Sequence, residues 1–328
     1  MRSESRLGLR WYVIGAIAIG ASASGCDRSD KNPTPIPPGP PALEAALPSA
    51  PVLIGAGDIA VCGTDADEAT SHIVDSVITA DNASHVSTVV FTLGDNAYPS
   101  GDQGVDRDFQ RCFASSWGRA NILQVIRPSP GNHDYDSGSA SPYFAYFGAR
   151  AGPPQKGYYS YDIGSWHIVS LNSELYFEGA QSGAASAQES WLRADLASHR
   201  SQCTLAYFHR PLFSSGIYGT TAEVRPLWKI LYAANADVVL NGHEHHYERF
   251  GPQTPRGAAD NARGIVEIIA GTGGAELREI RHPLAPNSQA QIHGRFGVLK
   301  LELREGGYRH SFIEAGGRVW DLGEGRCH

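Results

Sequence analysis

From Pro51 onward the chain alternates short apolar runs with segments of helical spacing. "VLIGAGD" (52–58) and "VSTVVFTLGD" (86–95) are strand-like runs that close on Gly-Asp, and "DEATSHIVDSVI" (67–78) between them spaces its apolar residues for a helix. A third strand is read in "VIRPSPGNHD" (125–134), and a hairpin turning at Gly164 over residues 158–173. The helix "AQESWLRADLAS" (187–198) leads into the strand "CTLAYFHRP" (203–211), and the helix "AEVRPLWKILYAA" (222–234) into "ADVVLNGHEH" (236–245). Residues 264–274, 294–303 and 308–315 supply later strands. "GTGG" (271–274) reads as a tight turn beside the strand ends, since neither a helical pattern nor a Lys follows it as a phosphate loop requires. Strands separated by helices predict an α/β fold.

The polar residues fall where such a fold builds sites. Five apolar strands end in turn on Asp58, Asp95, Asn132–His133, His209 and His243–His245, and Tyr98 stands three residues past Asp95. Loops converge at the carboxyl ends of strands in α/β sheets, so these groups can meet. Carboxylates, an amide oxygen, a phenol and imidazoles suit Fe, Mn or Zn. They are too many for one tetrahedral zinc and suit two metals sharing a carboxylate. In an extended backbone His243 and His245 share one face and His246 takes the other. Singly, each residue has a plainer use: Asp as a helix cap, Asn132 as a turn residue, His209 in a core, Tyr98 as a half-buried aromatic. One site explains all five strand ends better than separate accidents do. His246 is read as structural, with Glu248 and Arg249 pairing to brace the loop. His72, His85, His199, His282, His293, His310 and His328 are read as surface or structural, and His167 as packed or facing solvent.

Composition narrows the setting. With 41% apolar and 19% charged residues the chain is globular, and a net charge of −7 argues against a nucleic-acid partner. Arg2, Arg6 and Arg10 precede the apolar "WYVIGAIAIGASA", which predicts a signal peptide over 1–25. That stretch is short against the ~20 residues of a membrane span. "ASGC" places Cys26 as a lipidation site, although Ala23 stands where Leu is usual; ordinary secretory cleavage nearby is the alternative. Residues 26–50 form a Pro-rich tether, leaving 51–328 as the folded domain and a lipid anchor as its expected membrane contact. In an oxidising compartment Cys62, Cys112, Cys203 and Cys327 predict two disulfides, with three connectivities open. Cys62–Cys112 with Cys203–Cys327 is favoured, because the first two flank loops near the proposed site.

The motifs also carry a resemblance. "GD" (57–58), "GDNAY" (94–98), "GNHD" (131–134), His209 and "GHEH" (242–245) follow the order and approximate spacing of calcineurin-like metallophosphoesterases. "GDNAY" and "GHEHHYER" are similar to the GDxxY and GHxHxYER forms of purple acid phosphatases, and the likeness spans roughly residues 51 to 315. It implies a four-layer α/β/β/α sandwich holding two metal ions. Asp58, Tyr98 and His245 would bind the first, Asn132, His209 and His243 the second, and Asp95 both. The first would be Fe(III) and the second divalent Fe, Zn or Mn. A metal-bound hydroxide would attack phosphorus, while His133, oriented by Asp134, holds the phosphoryl oxygen and protonates the leaving alkoxide. Arg210 stands where some relatives place a substrate-facing His; it, Tyr135 and Tyr218 are candidates for substrate contact. "GDIA" puts Ala60 where relatives carry Gly or His, and "GNHD" shortens the more usual Glu by one methylene. The implied activity is hydrolysis of phosphate monoesters on small phosphorylated substrates. A phosphodiesterase on the same site is the next reading, and a metal-free scaffold the third.

Overall fold

Alternation with a period of two decides the architecture, because it continues on strands buried on both faces. The computed structural model describes residues 49–98, 108–136, 138–177, 182–199 and 201–328. The expected signal peptide, Cys26 and nearly all of the tether lie outside the described residues. The chain begins with β1 (Val52–Ala56), the short β2 (Ala60–Val61), α1 (Ala66–Ala83), β3 (Thr88–Leu93) and the short β4 (Ala97–Tyr98). Then follow α2 (Ala120–Val125), β5 (Ile126–Ser129), α3 (Ser141–Phe147), β6 (Tyr159–Ile163), β7 (Trp166–Ser170) and α4 (Ala184–Ser198). Next come β8 (Cys203–Tyr207), α5 (Arg225–Ala233), β9 (Val238–Asn241), β10 (Tyr247–Phe250) and β11 (Val266–Ala270). The last four are β12 (Ser288–Ile292), β13 (Gly297–Arg304), β14 (Gly307–Glu314) and β15 (Val319–Arg326).

Two mixed sheets result, one ordered β15-β14-β13-β1-β3-β5 and the other β12-β10-β11-β9-β8-β7-β6. Val52 and Ile54 of β1 pack outward on Val74 and Ile78 of α1, while Leu53 between them faces the second sheet with Phe91 and Leu301. In the second sheet Leu205 and Leu240 face inward, and Ala206 and Val239 meet Leu192, Trp228 and Leu231 of α4 and α5. Three apolar seams therefore separate four layers, the α/β/β/α sandwich expected. Strands β1, β3 and β5 run parallel, as do β7, β8, β9 and β11, and backbone bonds stitch the two sheets together at their carboxyl ends: the Gly57 N–H donates to Ala270 O at 2.9 Å. The disulfides are Cys62–Cys112, beside that end, and Cys203–Cys327, joining the start of β8 to the end of the chain.

Some expectations are corrected. The strand read over 125–134 is only Ile126–Ser129; Pro130 offers no N–H, and Gly131 to Tyr135 turn, with the Tyr135 N–H on Asn132 O at 3.0 Å. The hairpin does turn at Gly164. Strands β10, β12 and β15 escape the pattern, since "SQAQI" and "LGEGR" have neither apolar runs nor clean alternation.

Candidate metal centre

Strands β1, β3, β5, β8 and β9 are each followed by one or two groups that meet in a cluster at their common pole. After β1 and β3 the backbone turns sharply, with Asp58 at φ 59° and Asp95 at φ 51°; after β9, His243 sits at φ 70°. Left-handed backbone is uncommon for residues other than Gly, and Asp and His are among those that tolerate it. Gly94, at φ 81°, allows the second turn to press on β8: a Cβ there would stand 2.7 Å from both Cβ and Nδ1 of His209.

The two carboxylates divide their oxygens between scaffold and centre. Asp58 Oδ2 accepts the His243 N–H at 2.8 Å, and Asp95 Oδ1 accepts the His133 N–H at 2.8 Å. Their other oxygens face inward. Asp58 Oδ1 lies 3.0 Å from Tyr98 Oη and 3.1 Å from His245 Nε2. Asp95 Oδ2 lies 3.1 Å from Tyr98 Oη and 3.2 Å from His209 Nε2. His209 Nε2 is also 3.1 Å from Asn132 Oδ1 and 3.2 Å from His243 Nδ1. The donors thus form two sets, Asp58–Tyr98–His245 and Asn132–His209–His243, with Asp95 Oδ2 touching both.

The imidazoles are oriented as ligands are. His209 Nδ1–H donates to Leu93 O at 2.7 Å and His245 Nδ1–H to Glu276 O at 2.5 Å, which fixes the tautomers and leaves each Nε2 lone pair turned inward. Lone pairs of oxygen and nitrogen then converge, all of them on buried residues except the half-buried Asn132, with too few protons to separate them, and a cation fits such a set. With a proton as the cation, burial opposes charge on His209 but Asp95 outweighs it, raising His209 to about 9. Burial likewise opposes ionisation of Asp95, yet His209, His133 and His243 hold its carboxyl below the usual range. Burial, then Asp58 and Asp95, push the Tyr98 phenol well above its ordinary value, and burial, His209 and Arg210 keep His243 neutral. Asp95, His209 and His243 each offer a ligand atom within 4.8 Å of the others.

All the sequence-read ligands are therefore brought together, though not as expected in every detail. Residues 242–246 are not an extended strand but two successive tight turns, with Glu244 N–H on Gly242 O at 2.8 Å and His246 N–H on Glu244 O at 2.7 Å. Both His243 and His245 still reach the centre, while His246 is buried against Glu248 at 3.3 Å. Asp134 does not orient His133. The residues His133–Tyr135 form a 3₁₀ turn, where i and i+3 share a face, so His133 Nδ1 meets Asp136 Oδ2 at 3.0 Å. Asp134 is buried behind it, accepting from the Gly131 N–H and Asn96 Nδ2 at 2.9 Å each; burial, then Asp95, raise it to about 7. Glu248 and Arg249 do not pair either: they alternate across β10, Arg249 onto Asp321 at 2.7 Å and Glu248 inward onto Ser215 at 2.6 Å.

His133, about a third exposed, packs with its ring centroid 4.5 Å from that of Tyr98, the two rings tilted by 49°. Arg210 is held by Glu174 at 2.9 Å and lies over Phe177 at 4.1 Å, with NH1 3.3 Å from His243 Nε2. Tyr218, 54% exposed, stacks on His243 at 4.7 Å, its backbone N–H bound by the buried Glu244 at 2.8 Å. Arg278 lies 5.0 Å over Tyr218 and donates to His243 O at 3.3 Å. Glu174, Asp136 and Arg278 were missed from the sequence. Glu174 had a signal, because it closes a sixth strand end, after β7. "GTGG" does turn against the site, with the Ala275 N–H on Asp58 O at 2.9 Å.

Comparison places these features among known proteins. The calcineurin-like phosphoesterase family matches residues 53–247. Acid phosphatase type 7 of Homo sapiens is 28% identical over 211 residues, covering 55% of this chain and 47% of that protein. Purple acid phosphatase 21 of Arabidopsis thaliana is 28% identical over 236 residues, covering 64% and 51%. The chain thus spans about half the length of these curated relatives. Among solved structures, purple acid phosphatase PPD1 from yellow lupin (Lupinus luteus) seeds superposes with a TM-score of 0.65 at 20% identity, over 85% of this chain and 54% of its own. GAP50, the anchor in the inner membrane complex of Plasmodium, does so at 0.68 and 12%, over 85% and 90%. At those identities the two structures share the fold.

Proposed function

The chain belongs to the calcineurin-like phosphoesterase family, and on that premise we propose that it is an exported, metal-dependent hydrolase of phosphate monoesters. The observation that carries this reading is Asp95 Oδ2 shared between two donor sets, each built of oxygen and imidazole. Asp58, Tyr98 and His245 would hold one ion and Asn132, His209 and His243 the other. Fe(III) with divalent Fe, Zn or Mn would suit these donors, and such a pair supplies an acidified water near neutral pH and neutralises phosphoryl oxygens. The chain's own groups do the rest. His133, with Nδ1 tied to Asp136 and Nε2 4.0 Å from Asp95 Oδ2, is placed to hold a proton for the departing oxygen. Arg210, clamped by Glu174, sets a fixed positive charge beside His243 where an anionic ester approaches.

Export is supported by the signal-like N-terminus and by two disulfides, and lipid attachment at Cys26 belongs to the same reading. Small phosphorylated compounds are the proposed substrates; net charge −7 disfavours nucleic acid. The test is a side-by-side assay of p-nitrophenyl phosphate and bis(p-nitrophenyl) phosphate with metal analysis. Preference for the diester makes the chain a phosphodiesterase on this site. Less than one metal per chain, with no hydrolysis after adding Fe, Zn or Mn, makes it a scaffold. For the anchor, Cys26→Ala should release the protein from membranes, and unchanged partitioning would refute lipidation.

A further inference from the structure

We propose that a cavity of about 520 Å³ beside the His133 turn binds the organic part of the ester, and that it fits a flat aromatic ring bearing an anionic substituent. The inference rests on the monoesterase reading and adds a substrate class to it.

Its position follows from the chain. Tyr135 lines the cavity and closes the 3₁₀ turn that begins at His133, so the two Cα atoms are at most about 7.6 Å apart. Leu175 lines it too and follows Glu174, the clamp on Arg210. The cavity therefore borders both the turn that carries His133 and the segment that clamps Arg210, and on the monoesterase reading the organic group departs beside that turn.

Its chemistry follows from the walls. Tyr135, Phe144 of α3 and Tyr158 supply aromatic surface, and Tyr158 is backed by Trp191 at 4.9 Å. Such walls favour a planar apolar guest. Among the described residues the exposed Lys156 is the one cationic side chain lining the cavity, its ammonium over the Tyr158 ring at 5.7 Å from the centroid, and no carboxylate pairs with it. A guest held among these walls would meet that charge.

The walls are fixed before any guest arrives. Asn172, fully buried, donates through Nδ2 to Tyr135 Oη at 2.8 Å and to Lys156 O at 3.0 Å. Its Oδ1 accepts the Glu174 N–H at 3.1 Å, and its backbone exchanges two bonds with Gln188 of α4, at 2.8 and 3.0 Å. One residue thus ties together the segments that carry Tyr135, Lys156, Leu175 and Ala187, and nothing in the metal cluster requires it.

The test compares ethyl phosphate, phenyl phosphate and 4-carboxyphenyl phosphate on the metal-loaded enzyme. Phe144→Ala should raise KM about tenfold for both aryl esters and leave ethyl phosphate unchanged. Lys156→Ala, at an exposed position where folding is not at risk, should raise KM about tenfold for the carboxylated ester alone. Binding of 4-hydroxybenzoate, followed by calorimetry with and without metal, gives a readout free of turnover, and both variants should weaken it. If no phosphoester is hydrolysed but 4-hydroxybenzoate binds and the variants weaken it, the cavity stands and the monoesterase reading falls. If hydrolysis proceeds while both variants shift all three esters equally, or 4-hydroxybenzoate does not bind, the inference is overturned.

Discussion

Replacing Glu248 by Gln isolates one buried charge with no part in the metal cluster. The carboxylate accepts the Ser215 N–H at 2.8 Å and the Ser215 hydroxyl at 2.6 Å, faces His246 Nε2 at 3.3 Å, and receives a close hydroxyl from Ser288. Bonds to a charged acceptor contribute roughly 1.5–3 kcal/mol each and neutral ones about 1. Gln keeps one acceptor oxygen and turns an NH2 on the remaining donors; serine hydroxyls can rotate to accept, but an N–H cannot. The expected loss is about 2–4 kcal/mol near pH 6.5. Burial opposes ionisation of Glu248, but bonds from His246, Ser215 and Ser288 hold its carboxyl below the ordinary 4.5. A depressed folded pKa means the contribution is complete above that value and is lost as pH falls through the lower one. Urea midpoints of both proteins, compared from pH 6.5 downward, should therefore converge in acid. A difference under about 0.5 kcal/mol at pH 6.5, or one undiminished in acid, would refute the reasoning.

In iron-loaded protein, Tyr98→Phe should abolish a visible absorption band; a band that survives removes Tyr98 from the ligand set. Gly94→Ala should cost about 2–4 kcal/mol, from left-handed backbone and from the Cβ forced onto His209, and a melt matching the wild type would contradict that. His167 lies between Asp162 at 2.7 Å and Asp195 at 2.8 Å; burial lowers its pKa, but these carboxylates raise it above 6.5. Its stabilisation should be complete below pH 6.5 and lost as pH rises through the raised value, so melts of wild type and His167→Gln should draw together in alkali.

How much was legible depends on whether a feature is local. Apolar runs such as "VLIGA" announce themselves, and a polar residue shortly after one reads as a site contribution, which is why seven donors from five loops were named together. Pairing over long distances was not readable: β1 lies against Leu299–Glu302, which no periodicity links to it. Nor was local chirality. Whether His133 meets Asp134 or Asp136 depends on a three-residue helical turn, and the partner implied by the resemblance, Asp134, lies on the other side of that turn. In "GHEHH", two tight turns restored by another geometry what the extended reading had supposed for His243 and His245.

The left-handed backbone at Asp58, Asp95 and His243 limits how the chain can drift. Each position is selected twice, once for a donor atom and once for tolerance of a turn that costs most residues about 1–3 kcal/mol. A descendant free to lose catalysis would still need that turn, because the Asp58 and Asp95 loops are tied by a backbone bond, the Asp58 N–H on Gly94 O at 3.0 Å. The open route to a silent descendant runs through Asn or Gly at these three places, whereas a branched side chain would break the pole of the sandwich before it broke the chemistry.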